Sequence, residues 1–396
     1  MNEASVFSSK YPLKKITDVC MVIAGQSPES KYYNSDGKGL PFYQGKKEFT
    51  KKFLGKPTIW TSKITKEAQE DDILMSVRAP VGPVNFATQK ICIGRGLAAI
   101  RSSEKVNKNY LFYFLLMVES EIEGNDGAIF NSINKDQIGE IEIPIPPLSE
   151  QNHIVAILDD AFTAFDQGKA NIEKNIENAR EIFQSRLMEI FSRNDRGWEE
   201  TKLGEVCYKI TDGKHGDCKN EQNSEYYFLS AKDVFNDTLN YEKARQISKK
   251  DFEETHRRTD LKPGDVLVTN SGTIGRMALA PDDEKTYRTI FQKSVAIIKP
   301  KNDILNSDFC KYILESDLDK LVNISAGTAQ QNLLIGDLKT HTIYLPSIEE
   351  QRMIVNQLDE FKKQSLKLCR QYQTKFDLIE ELKKSLLQKA FAGELT

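Results

Sequence analysis

"IPPLSEQNHIVAILDD", residues 145–160, returns 200 positions later as "LPSIEEQRMIVNQLDE", residues 345–360. Glu150 falls on Glu350, Gln151 on Gln351, Ile154 on Ile354, Val155 on Val355, Leu158 on Leu358 and Asp159 on Asp359. Each copy opens a helix. In the first, prolines precede Ser149, which is of the helix-capping type, and acids follow in the first turn, where they suit the helix dipole. From Ile154 the apolar positions run Leu158, Ala161, Phe165, Ile172, Ile176, Ala179, Phe183 and Leu187. In the second copy they run Ile354, Leu358, Phe361, Leu366, Leu368, Tyr372, Phe376, Ile379, Leu382 and Leu386. Steps of three and four residues describe a coiled-coil seam. Each helix spans roughly 40 residues, or about 60 Å, and needs a partner for its apolar stripe. The other copy is the obvious partner, and the chain order of body, helix, body, helix favours an antiparallel pair. Two separate helices binding other proteins are the alternative. Gly168 interrupts the first helix at ~1 kcal/mol relative to Ala and marks an expected bend.

Working outward, Ser185, Leu187 and Phe191 match Ser385, Leu387 and Phe391. The preceding bodies also correspond, more loosely. "LKKITDVC" (13–20) pairs with "TKLGEVC" (201–207), "DDILMSVRAPVGPVNFA" (71–87) with "GDVLVTNSGTIGRMALA" (264–280), and "GRGLAAIR" (94–101) with "QKSVAIIK" (292–299); Gly127 falls on Gly327. Uniform drift after duplication would blur the junctions as much as the bodies. Sharp junctions between diverged bodies mean that the helices do one job twice while the bodies read different things.

Each body has the pattern of a mixed α+β domain: short β-rich runs between Gly/Pro turns, then a helix, then a final strand leading into the long helix. The expected architecture is two such domains separated by two long helices in an antiparallel coiled coil. Its segments are 1–148 and 195–346 for the bodies, 149–194 and 347–396 for the helical regions.

The chain has 396 residues, 39% hydrophobic and 29% charged, with a net charge of −3. That describes a globular protein of two or three domains and argues against a uniformly basic one. No apolar run approaches the ~18–20 residues of a membrane span. The start lacks a signal-like apolar segment, and six cysteines without paired spacing point to a reduced, cytoplasmic setting. Between Lys38 and Lys66 lie eight lysines and one acid, with Phe42, Tyr43, Phe49, Phe53 and Trp60 interleaved. Such a run suits phosphate contact, which carries affinity and salt dependence but no sequence information. A solvated face is the bland alternative. "KARQISKKDFEETHRR" (243–258) is mixed in charge and points less clearly to DNA.

These residues resemble the specificity subunits of Type I restriction–modification systems, over nearly the whole chain. The resemblance rests on "GQSPES" (25–30), "GLPFYQGK" (39–46), "SVRAPVGPVN" (76–85) and "CIGRGLAAIR" (92–101) in the first body, and on "TDGKHG" (211–216) and "GDVLVTNSGTIGR" (264–276) in the second. "PPLSEQ" and "LLQKAFAGEL" (386–395) resemble the family's helical regions. One departure is that Phe130 stands where the second body has Gln330. The resemblance implies a non-catalytic subunit whose two bodies each bind half of a bipartite double-stranded DNA target. It implies helices that set the gap and dock two methylating subunits, with motor–nuclease subunits completing the restriction enzyme. S-adenosylmethionine, ATP and magnesium would serve those partners, with no cofactor, metal or membrane expected for this chain.

The residues themselves support a reading role. Lys46 and Lys232 are equivalent, and Arg78, which favours guanine, is matched by Ser271; Arg95 is matched by Lys293. The full DNA-binding candidate set is Gln44, Lys46, Lys47, Lys51, Lys52, Ser76, Arg78 and Arg95 in the first body. In the second it is Lys214, His215, Lys232, Asn270, Ser271, Thr273, Arg276 and Lys293. Gly82 and Gly275 are turn glycines. Catalytic equipment is missing: no Asn/Asp-Pro-Pro-Tyr/Phe methylation motif, no phosphate-binding loop, no Glu-x-Lys at useful distance after Pro281-Asp282. His215, Cys218 and Cys207 lack a completing pair for zinc, and Cys20 and Cys207 match as core residues rather than nucleophiles.

Overall fold

The computed structural model describes residues 9–124, 132–192, 197–235, 237–325 and 332–395. Two compact units emerge: Met1–Glu173 with Tyr372–Thr396, and Lys174–Gln371. Both long helices, Leu148–Phe191 and Ile348–Ala392, contribute residues to both units.

In the first unit, strands Cys20–Ala24, Leu97–Ser102, Ile73–Ser76 and Val84–Phe86 form an antiparallel sheet in that order. Ile73–Ser76 is buried throughout, which is why it reads as a continuous apolar run rather than an alternating one. A second sheet centres on Leu40–Tyr43, paired in parallel with Ile91–Ile93. The helix Lys108–Gly124 packs its aromatic residues into the core, and Leu13–Lys15 pairs with the exit strand Glu142–Pro144. The second unit repeats the plan. Cys207–Asp212, Val295–Pro300, Val266–Thr269 and Met277–Leu279 form the four-stranded sheet, Tyr227–Leu229 pairs in parallel with Thr289–Phe291, and Glu199–Lys202 pairs with Thr342–Leu345. The fold class is α+β, as expected.

The sharp junctions now have a physical cause. Buried Gln151 accepts from the Asn107 N–H (2.8 Å) and donates to the carbonyls of Lys105 (3.0 Å) and Pro146 (2.9 Å). Gln351 does the same with Asn306 (2.9 Å), Ile304 (2.8 Å) and Pro346 (3.1 Å). Glu150 accepts from Tyr11 Oη (2.7 Å) and Glu350 from Trp198 Nε1 (3.2 Å). Asp159 accepts from Tyr113 (2.6 Å) and Asp359 from Tyr312 (2.5 Å). Each matched polar residue satisfies a buried or half-buried partner in its own unit, so neither copy tolerates drift.

The helices run antiparallel within each unit. In the first, Lys383 reaches Asp166 (3.2 Å), Lys169 lies over the Phe376 ring (4.9 Å) and pairs with Glu380, and Gly168 faces Ile379. In the second, Ser365 donates to the Ala179 carbonyl (2.6 Å), Lys362 lies over Phe183 (5.7 Å) and Arg186 over Phe361 (5.5 Å). Phe391 packs edge-on against Tyr110 (5.0 Å) and Phe114 (5.4 Å) in the first unit, and Phe191 against Phe309 (5.3 Å) in the second.

Three expectations about the helices need correcting. The shielded row on the second helix is Lys362, Ser365, Cys369, Tyr372, Phe376, Ile379, Lys383 and Leu386, whereas Phe361, Leu366, Leu368 and Leu382 are exposed. The three–four rhythm holds, but polar side chains occupy half of it. Gly168 breaks nothing: its helix continues from Leu148 to Phe191, and a Cβ there would come within 3.3 Å of Ile379 Cδ1. It is a close-approach residue. Ser149 sits inside its helix, which begins at Leu148; in the second copy Ser347 is the cap, its Oγ accepting from the Glu350 N–H (3.2 Å). Gly127, Phe130, Gly327 and Gln330 lie outside the described residues.

Candidate nucleic-acid interface

In the first unit a ladder of backbone hydrogen bonds draws four turns together. Gly94 donates to the Tyr43 carbonyl (2.8 Å), Gly96 to Gln44 (3.1 Å), and Val77 to Gly96 (3.0 Å). The Arg95 N–H donates to Ser27 Oγ (3.1 Å). Glycine is required at the crossing, because a Cβ on Gly96 would lie 2.4 Å from the Gln44 carbonyl oxygen. The result places Gln44, Arg78 and Arg95 on converging turns, all exposed, with Lys46 and Lys47 exposed on the 3-10 turn Lys46–Glu48.

The second unit repeats the ladder with other side chains. Gln292 donates to the Leu229 carbonyl (2.8 Å), Asn270 to Ser294 (3.0 Å) and Lys293 to Lys214 (3.0 Å). Ser271 and Asn332 form an isolated bridge, as Arg78 and Ser132 do in the first unit. A cleft of about 780 Å³ is lined here by Asp212, Asn270, Ser271, Gly272, Lys293 and Asn332–Ile335. Lys293 is exposed, and Lys232 is exposed on the 3-10 turn Ala231–Asp233. Sequence reasoning missed Asp212 and Asn332 as cleft residues. Asp212 stood in the quoted "TDGKHG", which was the available signal.

Several candidates have internal duties instead. Ser76 is buried and its hydroxyl donates to the carbonyls of Arg78 and Pro80 (both 3.1 Å), so it closes the turn rather than facing a ligand. Lys51 and Lys52 reach Asp166 (3.2 Å) and Asp159 (3.1 Å) on the first long helix, and Lys52 lies over the rings of Phe112 and Tyr113. These two lysines line a separate cleft beside both long helices. Lys214 is largely buried against Asp251 (3.0 Å) and Glu254 (3.5 Å). Burial works against its charge, but the hydrogen bond to Asp251 and the surrounding negative charge prevail and raise its pKa. His215 is exposed and paired with Asp212 (2.7 Å). Arg276 lies over the Phe235 ring (5.4 Å), and the Thr273 carbonyl accepts from Thr269 Oγ1 (2.5 Å). Two arginines of the mixed-charge run 243–258 are likewise committed. Arg245 binds Asn220 and Asp217, while Arg258 donates to Thr211 Oγ1 (2.6 Å) and the Gly213 carbonyl (2.6 Å), shaping the loop beside the cleft.

Cys20 and Cys207 are buried, and burial pushes both thiols up to about 12, which suits core residues and not nucleophiles. Among the described residues no group of three or more metal-ligating side chains comes together, and no helix is long and apolar enough to cross a membrane.

Residues 9–178 and 195–375 each match the family model for the Type I restriction modification DNA specificity domain. The putative MjaX specificity subunit of Methanocaldococcus jannaschii is 46% identical over 158 residues, a match covering 39% of this chain and 37% of that one. The EcoBI specificity subunit of Escherichia coli is 24% identical over 82% of this chain and 74% of its own. A solved chain described under "Structural basis underlying complex assembly and conformational transition of the type I R-M system" superposes with a TM-score of 0.74 at 20% identity, covering 97% of this chain and 98% of that one. The crystal structure of the HsdS subunit from Thermoanaerobacter tengcongensis gives a TM-score of 0.59 at 19% identity over the full length of both. The chain therefore belongs to the Type I restriction–modification DNA specificity family.

Proposed function

We propose that each body reads one half of a bipartite double-stranded DNA target through its converging turns. One observation carries this reading: two equivalent ladders of turns, one in each unit, present different side chains at equivalent places, Arg78 against Ser271 and Arg95 against Lys293. A shared scaffold with changed tips is what reading two different half-sites requires. The long helices set the gap between the halves and dock two methylating subunits, with restriction–translocation subunits joining in the complete enzyme. Their contribution of residues to both units supports the spacing role. S-adenosylmethionine, ATP and magnesium act on those partners, and the chain works in the cytoplasm beside the DNA.

The test is a map of methylated adenines in cells carrying this chain with its methylating subunits. A split motif with a fixed gap is expected. Replacing residues 1–148 with another such body is expected to change one half only, and inserting a turn into either long helix to change the gap. Changes in both halves after the swap, or an unaltered gap after the insertion, would overturn the reading.

A further inference from the structure

The two clusters of turns share a frame and differ in chemistry. Ala24 pairs with Ala98 in the first sheet as Asp212 pairs with Ala296 in the second. Val77 donates to the Gly96 carbonyl as Asn270 donates to Ser294, and Ile133 donates to Val77 as Leu333 donates to Asn270. Ala24 and Val77 therefore hold the places of Asp212 and Asn270. The first cluster has apolar residues at those two places and arginines at positions 78 and 95. Arginine only donates hydrogen bonds, which suits the N7 and O6 acceptors of guanine. The second has a carboxylate and an amide there.

Asn270 is the unusual residue. It is more than nine-tenths buried and lines the cleft, yet its Oδ1 has no hydrogen-bond partner. A buried acceptor left open is costly and calls for a donor. Asp212 in the same cleft is paired with His215 (2.7 Å) and Arg258 (3.3 Å) and brings no donor for a guanine edge, which offers two acceptors. An amide presents one acceptor and one donor together. The base edge that answers both is adenine, with its N6 amino group and N7; cytosine offers the amino group alone.

Resting on the function proposed above, we propose that Asn270 is a specificity-determining residue. It demands adenine at one position of the half-target read by the second body, with Oδ1 accepting from N6 and the amide nitrogen donating to N7. The equivalent valine in the first body makes no such demand.

The experiment compares methylated-adenine maps for the intact complex containing the wild-type chain, Asn270→Val and Asn270→Asp. In Asn270→Val, one A·T requirement in a single half of the motif is expected to relax about tenfold or more, with the other half and the gap unchanged. In Asn270→Asp, the same position is expected to drift toward cytosine, which a lone acceptor prefers. If Asn270→Val abolishes modification, gel-shift titration of the purified complex on duplexes with each single-pair change gives the same readout. Relaxation at a G·C pair, relaxation in both halves, or undiminished discrimination at every position would overturn the assignment. A wild-type map without any split motif would instead overturn the broader function, so the two failures are distinguishable.

Discussion

Tyr113 donates its phenolic hydrogen to Asp159 across 2.6 Å, tying the helix Lys108–Gly124 to the first long helix. Burial raises the Tyr113 pKa, and the carboxylate beside it raises it further, so the phenol stays protonated and keeps donating. Lys52 holds the same carboxylate oxygen from 3.1 Å. Tyr113→Phe removes the donor but leaves Lys52, so a loss of about 1 kcal/mol is expected in urea unfolding. The double variant with Lys52→Ala is expected to lose more than the sum of the two single changes, because Asp159 then has neither partner.

Gln151 is a stricter requirement. Its side chain satisfies one backbone N–H and two backbone carbonyls in a buried setting. Gln151→Leu is nearly the same size but leaves those groups open, at about 1–3 kcal/mol for each that water does not reach. The predicted signature is faster amide exchange at Asn107 together with a lowered melting temperature. Gln351→Leu is expected to do the same at Asn306.

His256 sets an acid limit on the second unit. Burial lowers its pKa below the ordinary 6.5, and its Nδ1 is buried without a hydrogen-bond partner. The unfolded chain therefore takes up a proton more readily than the folded one. Stability from the neutral ring is complete above pH 6.5 and declines as pH falls from 6.5 through the lower folded value. Urea midpoints measured at about pH 7.5 and about pH 5.5 are expected to separate. They are expected to separate less in His256→Phe, which keeps the stacking on Phe252.

The exposed cations divide into two kinds. Lys46→Ala with Lys47→Ala is expected to weaken DNA binding uniformly and to reduce the salt slope by about one for each phosphate no longer neutralised. Arg78→Ala is expected to relax one position of the first half-target and cost about 1–3 kcal/mol of discrimination there. Lys52→Ala is expected to leave the salt slope unchanged, since that ammonium faces Asp159 and two aromatic rings. Fluorescence anisotropy over a series of salt concentrations separates the three outcomes.

By itself the sequence determined the duplication, the mixed α+β bodies, the two long helices and their three–four rhythm. These are local or self-referential properties: a repeat needs only comparison of the chain with itself, and helical periodicity needs only neighbours a few residues away. Tertiary structure decided which residues occupy the rhythm. Leu366 and Leu382 have the right chemistry for a seam and are exposed, while Lys362, Ser365 and Lys383 are shielded because Asp237, the Ala179 carbonyl and Asp166 stand opposite them. It also decided that the last turns of the chain belong with the first body, since Phe391 meets Tyr110 and Phe114 from the far end of the sequence. The same holds at the candidate interface. The equivalence of Arg78 with Ser271 was legible as alignment, but the burial of Ser76 and the open acceptor of Asn270 depend on what the folded chain brings against them. A side chain's type is written in the sequence, and its surroundings are fixed only when distant segments pack.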